Sequence, residues 1–384
     1  MLADLGLGLW DPSKVVIASD HYVPAVDAES AAILALTRRF AATHGVERFF
    51  DMEGIGHMLL AERGLVQPGM LVAGGDSHTP MAGAFGAYAA GYGATDMAAI
   101  AATGRTWLQV PSTIRVEWSG DLRDGITAKD MMLFLCQTLG MDNAFRAVEF
   151  AGLTVEAMSI PERLVLTNMA AELGAETGIV APDDTTFAWL SAAGMPVTDE
   201  ATSRAWASDP DADYEAVHRF DAGALEPMIA LPHSPANSVA VGAAEGRVID
   251  QAYIGACVGA KLEDLRMAAR VLAGRRVAGG VRLLVAPASS RVTQAAAADG
   301  TLGTLMAAGA TLMPSGCGAC AGMGAGLLAE GEVCISTTNR NFRGRMGHAG
   351  AEVYLGSPYS VAAAAVAGRI VDPRTLLGQR KAAA

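Results

Sequence analysis

The sequence predicts an α/β protein with parallel sheets and more than one domain. The chain has 384 residues, which is more than one ordinary hydrophobic core holds, and 51% of them are apolar. Short β-branched runs alternate with helical stretches along its length, which is the pattern of βαβ units. Aromatic residues make up only 6% of the chain while alanine and glycine are abundant. This composition favours helices packed closely on sheets over a β-sandwich.

Charge and cysteine content exclude several classes of protein. The net charge of −12, without a long basic run, argues against a nucleic-acid surface, because phosphate binding needs clustered Lys and Arg. The first residues lack the basic region, apolar core and cleavage site of a signal peptide. Five cysteines is an odd number, so we expect reduced thiols and a cytoplasmic protein. No apolar segment reaches membrane-spanning length without charges, glycines or polar residues, so we expect a soluble chain.

Ionisable side chains follow the first three predicted strands, at the point where each strand ends. They are Asp20 and His21 after residues 15–19, His57 after residues 49–50, and Asp76, Ser77 and His78 after residues 70–74. The carboxyl ends of strands in α/β proteins point into the crevice where ligands bind. We therefore expect these acids and imidazoles to share one polar site, with helix capping by the acids as the simpler alternative.

The middle of the chain carries weaker signals. Residues 113–118 are predicted as a strand, and a capped helix follows Thr127. Glu149 lies between apolar neighbours in another predicted strand, where it is either an exposed acid or the partner of a catalytic histidine. Residues 195–236 are polar and proline-spaced and are predicted to be a linker. The expected domains are residues 1–112, 113–236 and 237–384.

Three cysteines have the spacing of a metal site. Cys317 and Cys320 form a C-x-x-C among glycines, and Cys257 stands far upstream among small residues. Three thiolates leave one position of a four-coordinate site open for chemistry. Structural zinc usually takes four ligands in two local pairs, so this spacing favours an iron–sulfur cluster over zinc. Cys136 falls in a predicted helix and is expected to be a packing residue.

An arginine-rich segment follows the predicted strand at 333–336 and contains Asn339, Arg340 and Arg345. Arginine binds carboxylates with two parallel hydrogen bonds. Together, an open metal position, acid–histidine pairs and arginines fit the elimination of water from a hydroxy-acid. The hydroxyl leaves readily only when a Lewis acid holds it and a proton donor neutralises it.

The order of these motifs resembles the aconitase family, over a match from about Trp10 to about Pro373. The motifs are Ser19-Asp-His21, Gly54-Ile-Gly-His57, Gly75-Asp-Ser-His-Thr79, Val148-Glu-Phe150, Gly255-Ala-Cys257, Gly316-Cys-Gly-Ala-Cys320 and Asn339-Arg-Asn-Phe-Arg-Gly-Arg345. The resemblance implies three α/β/α domains with parallel or mixed sheets around a central iron–sulfur cleft. It also implies a 4Fe-4S cluster held by Cys257, Cys317 and Cys320.

The resemblance further implies a role for each polar residue. Asp20 and His21 would form an acid pair near the leaving hydroxyl, and His57 would pair with Glu149. Asp76 and His78 would bind the hydroxyl or iron-bound water. Ser77, Arg340 and Arg345 would contact the carboxylates of the substrate, and Asn339 would lie against the cluster.

Two-subunit members of the family carry the proton-abstracting serine on a separate small chain. No stretch here resembles that swivelling domain, so we expect a small-subunit partner. The expected substrate is a 2-hydroxy di- or tricarboxylic acid, with 2-isopropylmalate leading and homoaconitase or alkylmalate dehydratase chemistry as alternatives. A cluster-bearing RNA-binding regulator is a hypothesis of another class, which the acidic charge opposes. A binding protein whose fold is held by structural zinc is a third hypothesis.

The chain departs from the family pattern in three places. Ala256, Val258 and Gly259 stand around the first cysteine where the family usually has hydroxyl and amide side chains. Residues 143–146 read Asn-Ala-Phe-Arg where the family has a Thr-Gly pair. The usual N-terminal segment is also expected to be missing. These differences bear on which hydroxy-acid is the substrate.

Overall fold

Strands and helices alternate along the chain in a computed structural model that describes Leu2 and residues 6–378. Its strands are β1 Val16–Ser19, β2 Arg48–Asp51, β3 Leu71–Gly74, β4 Tyr88–Gly91, β5 Ser112–Ser119, β6 Arg146–Ala151, β7 Thr177–Val180, β8 Ala216–Asp221, β9 Met228–Ala230, β10 Ser238–Ala240, β11 Gln251–Ile254, β12 Arg282–Val285, β13 Ala310–Leu312, β14 Val333–Ser336 and β15 Glu352–Leu355. Its helices are α1 Ala28–Thr43, α2 Gly56–Glu62, α3 Ala94–Thr103, α4 Ala128–Leu139, α5 Leu153–Glu156, α6 Ile160–Asn168, α7 Asp184–Ala192, α8 Glu200–Arg204, α9 Leu262–Leu272, α10 Ser290–Ala298, α11 Thr301–Ala308, α12 Pro358–Ala367 and α13 Arg374–Leu377. The predicted α/β class is confirmed. None of the helices in the described residues has the length and apolar character needed to cross a membrane.

The chain divides into two compact units, each assembled from several segments. The first unit contains the residues up to Asp20 together with Ala25–Trp118 and Asp142–Phe220. The second contains His21–Pro24, Ser119–Met141 and the chain from Asp221 onward. The three domain boundaries expected from the sequence stay a prediction.

The first unit contains two parallel strand pairs, β1 with β2 and β3 with β4, and a four-stranded sheet in the order β7-β6-β5-β8. The segment after β3 is fixed against β7 and α6. A short 3-10 helix, Thr79–Phe85, begins there, and a Cβ at Gly83 would lie 1.8 Å from the carbonyl oxygen of Gly178. The Thr167 hydroxyl donates to the carbonyl of Met81 at 3.0 Å. These contacts fix the backbone next to His78.

The second unit is built on a seven-stranded sheet in the order β10-β9-β15-β14-β11-β12-β13. Strands β11 to β15 are parallel to one another, β9 pairs antiparallel with β15, and β10 pairs antiparallel with β9 at one edge. Helices α9 and α12 pack together on this sheet through buried residues such as Leu265, Ala268 and Val361. Because the strands are parallel, the loops after β11, β13 and β14 all leave from the same edge.

Two predictions about secondary structure are wrong. Residues 195–236 are not a linker, because they contribute α8, β8 and β9, and β8 is a member of the four-stranded sheet. The alanine- and glycine-rich stretch after Thr79 predicts helices through residue 103, but it also contains β4. Both segments are rich in residues with weak strand propensity, and pairing with neighbouring strands decides their conformation.

A buried ion pair fixes α6 against the beginning of α7. The Arg163 guanidinium is 0% exposed and donates to both carboxylate oxygens of Asp183, at 2.8 and 2.6 Å, and to the carbonyl of Glu156 at 2.8 Å. Burial acts to raise the pKa of Asp183, but the hydrogen bonds and charge of Arg163 outweigh it and hold the pKa below its usual value.

We expect Arg163→Met to destabilise the chain by about 3–5 kcal/mol, because it leaves a carboxylate without its buried partner. The surface pair of Arg204 with Asp184 supplies the control, and Arg204→Met should cost less than about 1 kcal/mol. Thermal unfolding measures both. Because the pKa of Asp183 is depressed in the fold, its contribution is present above the unfolded pKa of about 4 and is lost as the pH falls through the folded value. Equal midpoints for the two variants at neutral pH would contradict this expectation.

Candidate functional site

Four side chains of the first unit form a continuous chain of acid–imidazole contacts. His57 Nε2 lies 3.0 Å from Asp76 Oδ1. The same oxygen accepts the backbone N–H of His78 at 2.7 Å and lies 3.3 Å from the His78 ring at Nδ1. On its other side, His78 Nε2 lies 3.0 Å from Glu172 Oε1. The sequence predicted that His57, Asp76 and His78 would meet, and the structure brings them together.

This chain of contacts includes a half-buried carboxylate, Asp76, and ends at a fully buried one, Glu172. The Asp76 side chain is 36% exposed, His78 9% and Glu172 0%. Burial acts to raise the pKa of Asp76, but hydrogen bonds from His57 and His78 and their charges outweigh it, so the pKa lies far below its usual value. Asp76 therefore stays ionised, and each histidine ring that faces it presents an N–H.

Local structure sets the orientation of these rings. His57 is the second residue of α2, whose first amide, Gly56 N, donates to Asp20 Oδ2 at 2.8 Å. Asp20 thus caps the helix that carries His57, which is the simpler of the two roles considered from the sequence. The His57 and His78 rings lie edge to face with centroids 6.5 Å apart. Ser77 is exposed at the turn between Asp76 and His78.

Glu149 lies apart from this chain of contacts. It is on β6, where it pairs with Arg115 and accepts hydrogen bonds from the hydroxyls of Ser208 at 2.6 Å and Tyr214 at 3.1 Å. The pairing of His57 with Glu149 expected from the resemblance is therefore replaced by the pairing of His57 with Asp76. The role of Glu149 in the chemistry stays a prediction.

Sequence reasoning missed Glu172, the buried carboxylate that contacts His78. The sequence of residues 164–175 predicts a helix, and in the structure Glu172 follows a 3-10 turn, Met169–Ala171, at the end of α6. It does not follow a strand, which was the signal used to select the other acids. The only available signal was a charged residue within an apolar helical pattern.

The three predicted sulfur ligands all lie in the second unit, in loops that leave the same sheet edge. Cys257 follows β11, Cys317 precedes a short 3-10 turn, Gly318–Ala321, after β13, and Cys320 lies within that turn. The backbone N–H of Cys320 donates to the carbonyl of Cys317 at 3.0 Å, so both thiols belong to one turn. None of the three is in a disulfide; Cys317 is half-buried and the other two are buried.

The buried side chain of Tyr253 shows that the two cysteine loops meet. Its hydroxyl lies 2.7 Å from a Cβ placed on Gly255 and 3.8 Å from a Cβ placed on Gly318. Burial raises the pKa of Tyr253, and the thiolate charges of Cys320 and Cys317 raise it further. A single hydroxyl therefore adjoins both the loop of Cys257 and the turn of Cys317 and Cys320.

This donor set fits an iron–sulfur cluster. Three thiolates at the ends of parallel strands are soft ligands, and the small residues around them leave room for sulfide and for backbone N–H groups. Asn339, in the loop after β14, brings its side-chain Nδ2 to 3.7 Å from Cys257 Sγ. Asn339 therefore lies beside the Cys257 thiol, and its position against a cluster stays a prediction.

Two basic side chains lie beside the C-x-x-C turn. Arg345 donates from Nε to the carbonyl of Cys320 at 2.8 Å. An imidazole nitrogen of His21 lies within 4.8 Å of Cys317 Sγ. Arg340 is half-buried in the segment that also carries Asn339. The second unit therefore combines sulfur ligands, an imidazole and guanidinium groups.

Comparison with known proteins agrees with these features. Residues 13–368 match the aconitase family (aconitate hydratase). The chain is 47% identical over 375 residues to 3-isopropylmalate dehydratase large subunit 1 of Methanopyrus kandleri, covering 96% of this chain and 88% of that protein. It is 43% identical over 374 residues to the large subunit 1 of the same enzyme from Pyrococcus furiosus, covering 96% and 87%.

A third relative has a different name. The probable methanogen homoaconitase large subunit of Methanosarcina mazei is 45% identical over 370 residues, covering 96% of this chain and 93% of that protein. Among solved structures, holo aconitase X of Thermococcus kodakaraensis aligns with a TM-score of 0.52 and 13% identity, covering 88% of this chain and 77% of that one, which shows a shared fold. Because the family pattern spans most of the chain and the relatives match over most of their length, the chain belongs to the aconitase family.

Proposed function

We propose that this chain is the large subunit of a 4Fe-4S hydro-lyase that removes and re-adds water on a 2-hydroxy dicarboxylic acid, with 2-isopropylmalate as the substrate. The observation that carries the proposal is that one chain holds both an acid–imidazole chain and a three-cysteine loop set. Similarity to large subunits named for 3-isopropylmalate dehydratase supports it. That reaction would place the chain in leucine biosynthesis.

The cysteine loops would hold the cofactor. Cys257, Cys317 and Cys320 would bind three irons, and a bound cluster would supply a Lewis-acidic iron for the substrate's hydroxyl and carboxylate. Asn339 lies against Cys257 Sγ, and Arg345 holds the carbonyl of Cys320. Both contacts restrain the loops that carry the cysteine ligands.

The acid–imidazole chain would manage the protons. Hydroxide is a poor leaving group, so a proton must reach the substrate oxygen as its bond to carbon breaks. Asp76 and Glu172 flank the ring of His78, and two carboxylates favour its protonated form. His57 contacts the same Asp76 oxygen, so one carboxylate connects the two imidazole rings.

The guanidinium groups would bind the carboxylates of the substrate. Arg340 and Arg345 have the planar donor geometry that matches a carboxylate, and Ser77 offers an exposed hydroxyl. Asp20 and His21 would serve the leaving hydroxyl. The base that removes the C–H proton is expected on a small-subunit partner. Cysteines without disulfides fit a reducing compartment, which we take to be the cytoplasm.

Homoaconitase activity is the second candidate, because the homoaconitase-named relative is nearly as similar as the dehydratases. The two reactions share the dehydration chemistry and differ in the side chain of the acid. The experiment must therefore measure which substituent on the hydroxy-acid the enzyme prefers.

The first test concerns the metal. After anaerobic reconstitution with iron and sulfide, we expect a brown protein, and Cys257→Ala, Cys317→Ala or Cys320→Ala should each lower the bound iron severalfold, because a three-thiolate site has no spare ligand. Cys136→Ala and Cys334→Ala are matched controls, since both thiols are buried and lie within α4 and β14 and not in the cysteine loops. A colourless zinc protein, or equal iron loss in the controls, would overturn the cluster assignment.

The second test concerns substrate and partner. We expect the reconstituted chain to be inactive alone and to hydrate isopropylmaleate when mixed with a small subunit of the swivelling-domain type from the same genome. Homoaconitate and alkylmaleates are assayed in parallel, and the highest kcat/KM identifies the substrate. Turnover by the large subunit alone would refute the need for a partner.

The third test concerns the buried carboxylate that the sequence did not reveal. We expect Glu172→Gln to lower kcat by about 10²–10⁴-fold with little change in KM, because a neutral amide no longer stabilises protonated His78. Bound iron should not change. Glu62→Gln, a substitution of another buried glutamate in the same unit, should leave kcat near the unmodified value. A wild-type kcat in Glu172→Gln would remove the proton-handling role.

A further inference from the structure

Two buried lysines of the second unit contact the backbone beside the site residues. Lys129, 2% exposed at the start of α4, donates from Nζ to the carbonyl of Thr338 at 2.7 Å and lies 3.5 Å from that of Thr337. These carbonyls immediately precede Asn339. Lys129 therefore holds the loop after β14 at the residues that position Asn339.

The second lysine acts in the same way on the loop of Cys257. Lys261, also 2% exposed, donates from Nζ to the carbonyl of Val258 at 2.8 Å and to Asp264 Oδ2 at 2.6 Å. Val258 is the residue after Cys257. Each loop is thus held by an ammonium group one or two residues from its functional side chain.

The hydroxyl of Thr337 joins the two loops directly. Its oxygen accepts the N–H of Gly255 at 2.9 Å, and the hydroxyl lies 2.9 Å from the carbonyl of Gly255 and 3.3 Å from that of Gly259. These contacts lie on both sides of Cys257. They supply polar support at the place where this chain has Ala256, Val258 and Gly259.

The charges of the two lysines share one buried neighbour. Burial raises the pKa of Asp264, while the charges of Lys261 and Lys129 act in the opposite direction without outweighing it. Burying an ammonium group costs several kcal/mol unless hydrogen bonds and an opposite charge compensate it. An apolar side chain at position 129 would fill the same space without the cost of burying a charge. We therefore assign the Lys129 ammonium group a role in holding the carbonyls that it contacts.

We propose that Lys129, Lys261 and Thr337 are positioning residues that lock the Cys257 loop and the Asn339 loop into one preformed arrangement. Loops that already have the bound geometry lose less conformational freedom when a metal centre is inserted, and they orient its ligands. This inference rests on the proposed function in one respect, that Cys257 is a cluster ligand. The locked arrangement itself consists of contacts between residues of this chain.

The decisive experiment therefore uses the metal-free full-length chain. Cys257 is 5% exposed and Cys334, the internal reference, is 0% exposed. We expect Thr337→Val and Lys129→Met to raise the rate of N-ethylmaleimide labelling of Cys257 relative to Cys334 by about tenfold, since each removes a restraint on local opening. Peptide-resolved mass spectrometry reads both thiols in one sample.

Each variant has a matched control in the first unit. Thr167 is equally buried, and its hydroxyl donates to the carbonyls of Met81 and Arg163, so Thr167→Val tests the general cost of losing a buried hydroxyl. Arg163→Met tests the general cost of losing a buried cation that also donates to a carbonyl. Both controls should lower the melting temperature without changing the Cys257 to Cys334 ratio.

A second measurement follows loss of the cluster to a chelator after reconstitution. We expect visible absorbance to bleach about tenfold faster in Thr337→Val than in Thr167→Val, because its ligand loop opens more often. Unchanged labelling ratios in Thr337→Val would overturn the inference, whether or not Lys129→Met folds. Failure of the unmodified chain to take up a cluster would instead contradict the proposed function. The labelling ratio would in that case still show whether the two loops are locked together.

Discussion

The parallel order of β11 to β15 is the constraint on which the metal-binding unit depends. Parallel strands place all their carboxyl ends at one edge of the sheet, so loops that are far apart in sequence can emerge side by side. Cys257 and Cys317 are separated by some sixty residues, yet their loops meet at the hydroxyl of Tyr253. An antiparallel arrangement of the same strands would send alternate loops to opposite edges.

The first unit is characterised by carboxylates that are buried or half-buried beside imidazole rings. It must keep carboxylates ionised while excluding much of the water that would otherwise stabilise them. It does so by alternation, since Asp76 faces two imidazoles and His78 faces two carboxylates. Every charge along this chain of contacts has an opposite charge or a donor as its neighbour, which lets a fully buried Glu172 be tolerated at its end.

The sequence was most informative where function and secondary structure coincide. Acids and histidines at strand ends, such as Asp76 and His78, could be recognised because a short apolar run stops at a polar cluster. After Cys257 the sequence predicts a helix over Leu262–Leu272, with Glu263 and Asp264 in its first turn, and α9 has these bounds. Glu172 could not be recognised, because a helical carboxylate has no local signal and its partner lies ninety-four residues away.

Tertiary pairing explains the other differences from the sequence predictions. The stretch 195–236 has proline-spaced polar composition, but β8 within it is completed by a neighbouring strand, which local propensity does not encode. The partner of His57 was assigned to Glu149, although Arg115, Ser208 and Tyr214 occupy that carboxylate. Which acid meets which base depends on the direction of side chains across different sheets, and strand-end spacing alone does not give that direction.

The unequal burial of the thiols has a consequence for handling in air. Cys317 is half-buried, whereas Cys136, Cys257, Cys320 and Cys334 are buried. Oxidants attack accessible thiolates first and convert them to sulfenic acid and then to irreversible products. The first residue lost to oxygen would then be a candidate ligand and not a packing residue, so aged preparations would keep their fold while losing the capacity to rebuild a metal centre.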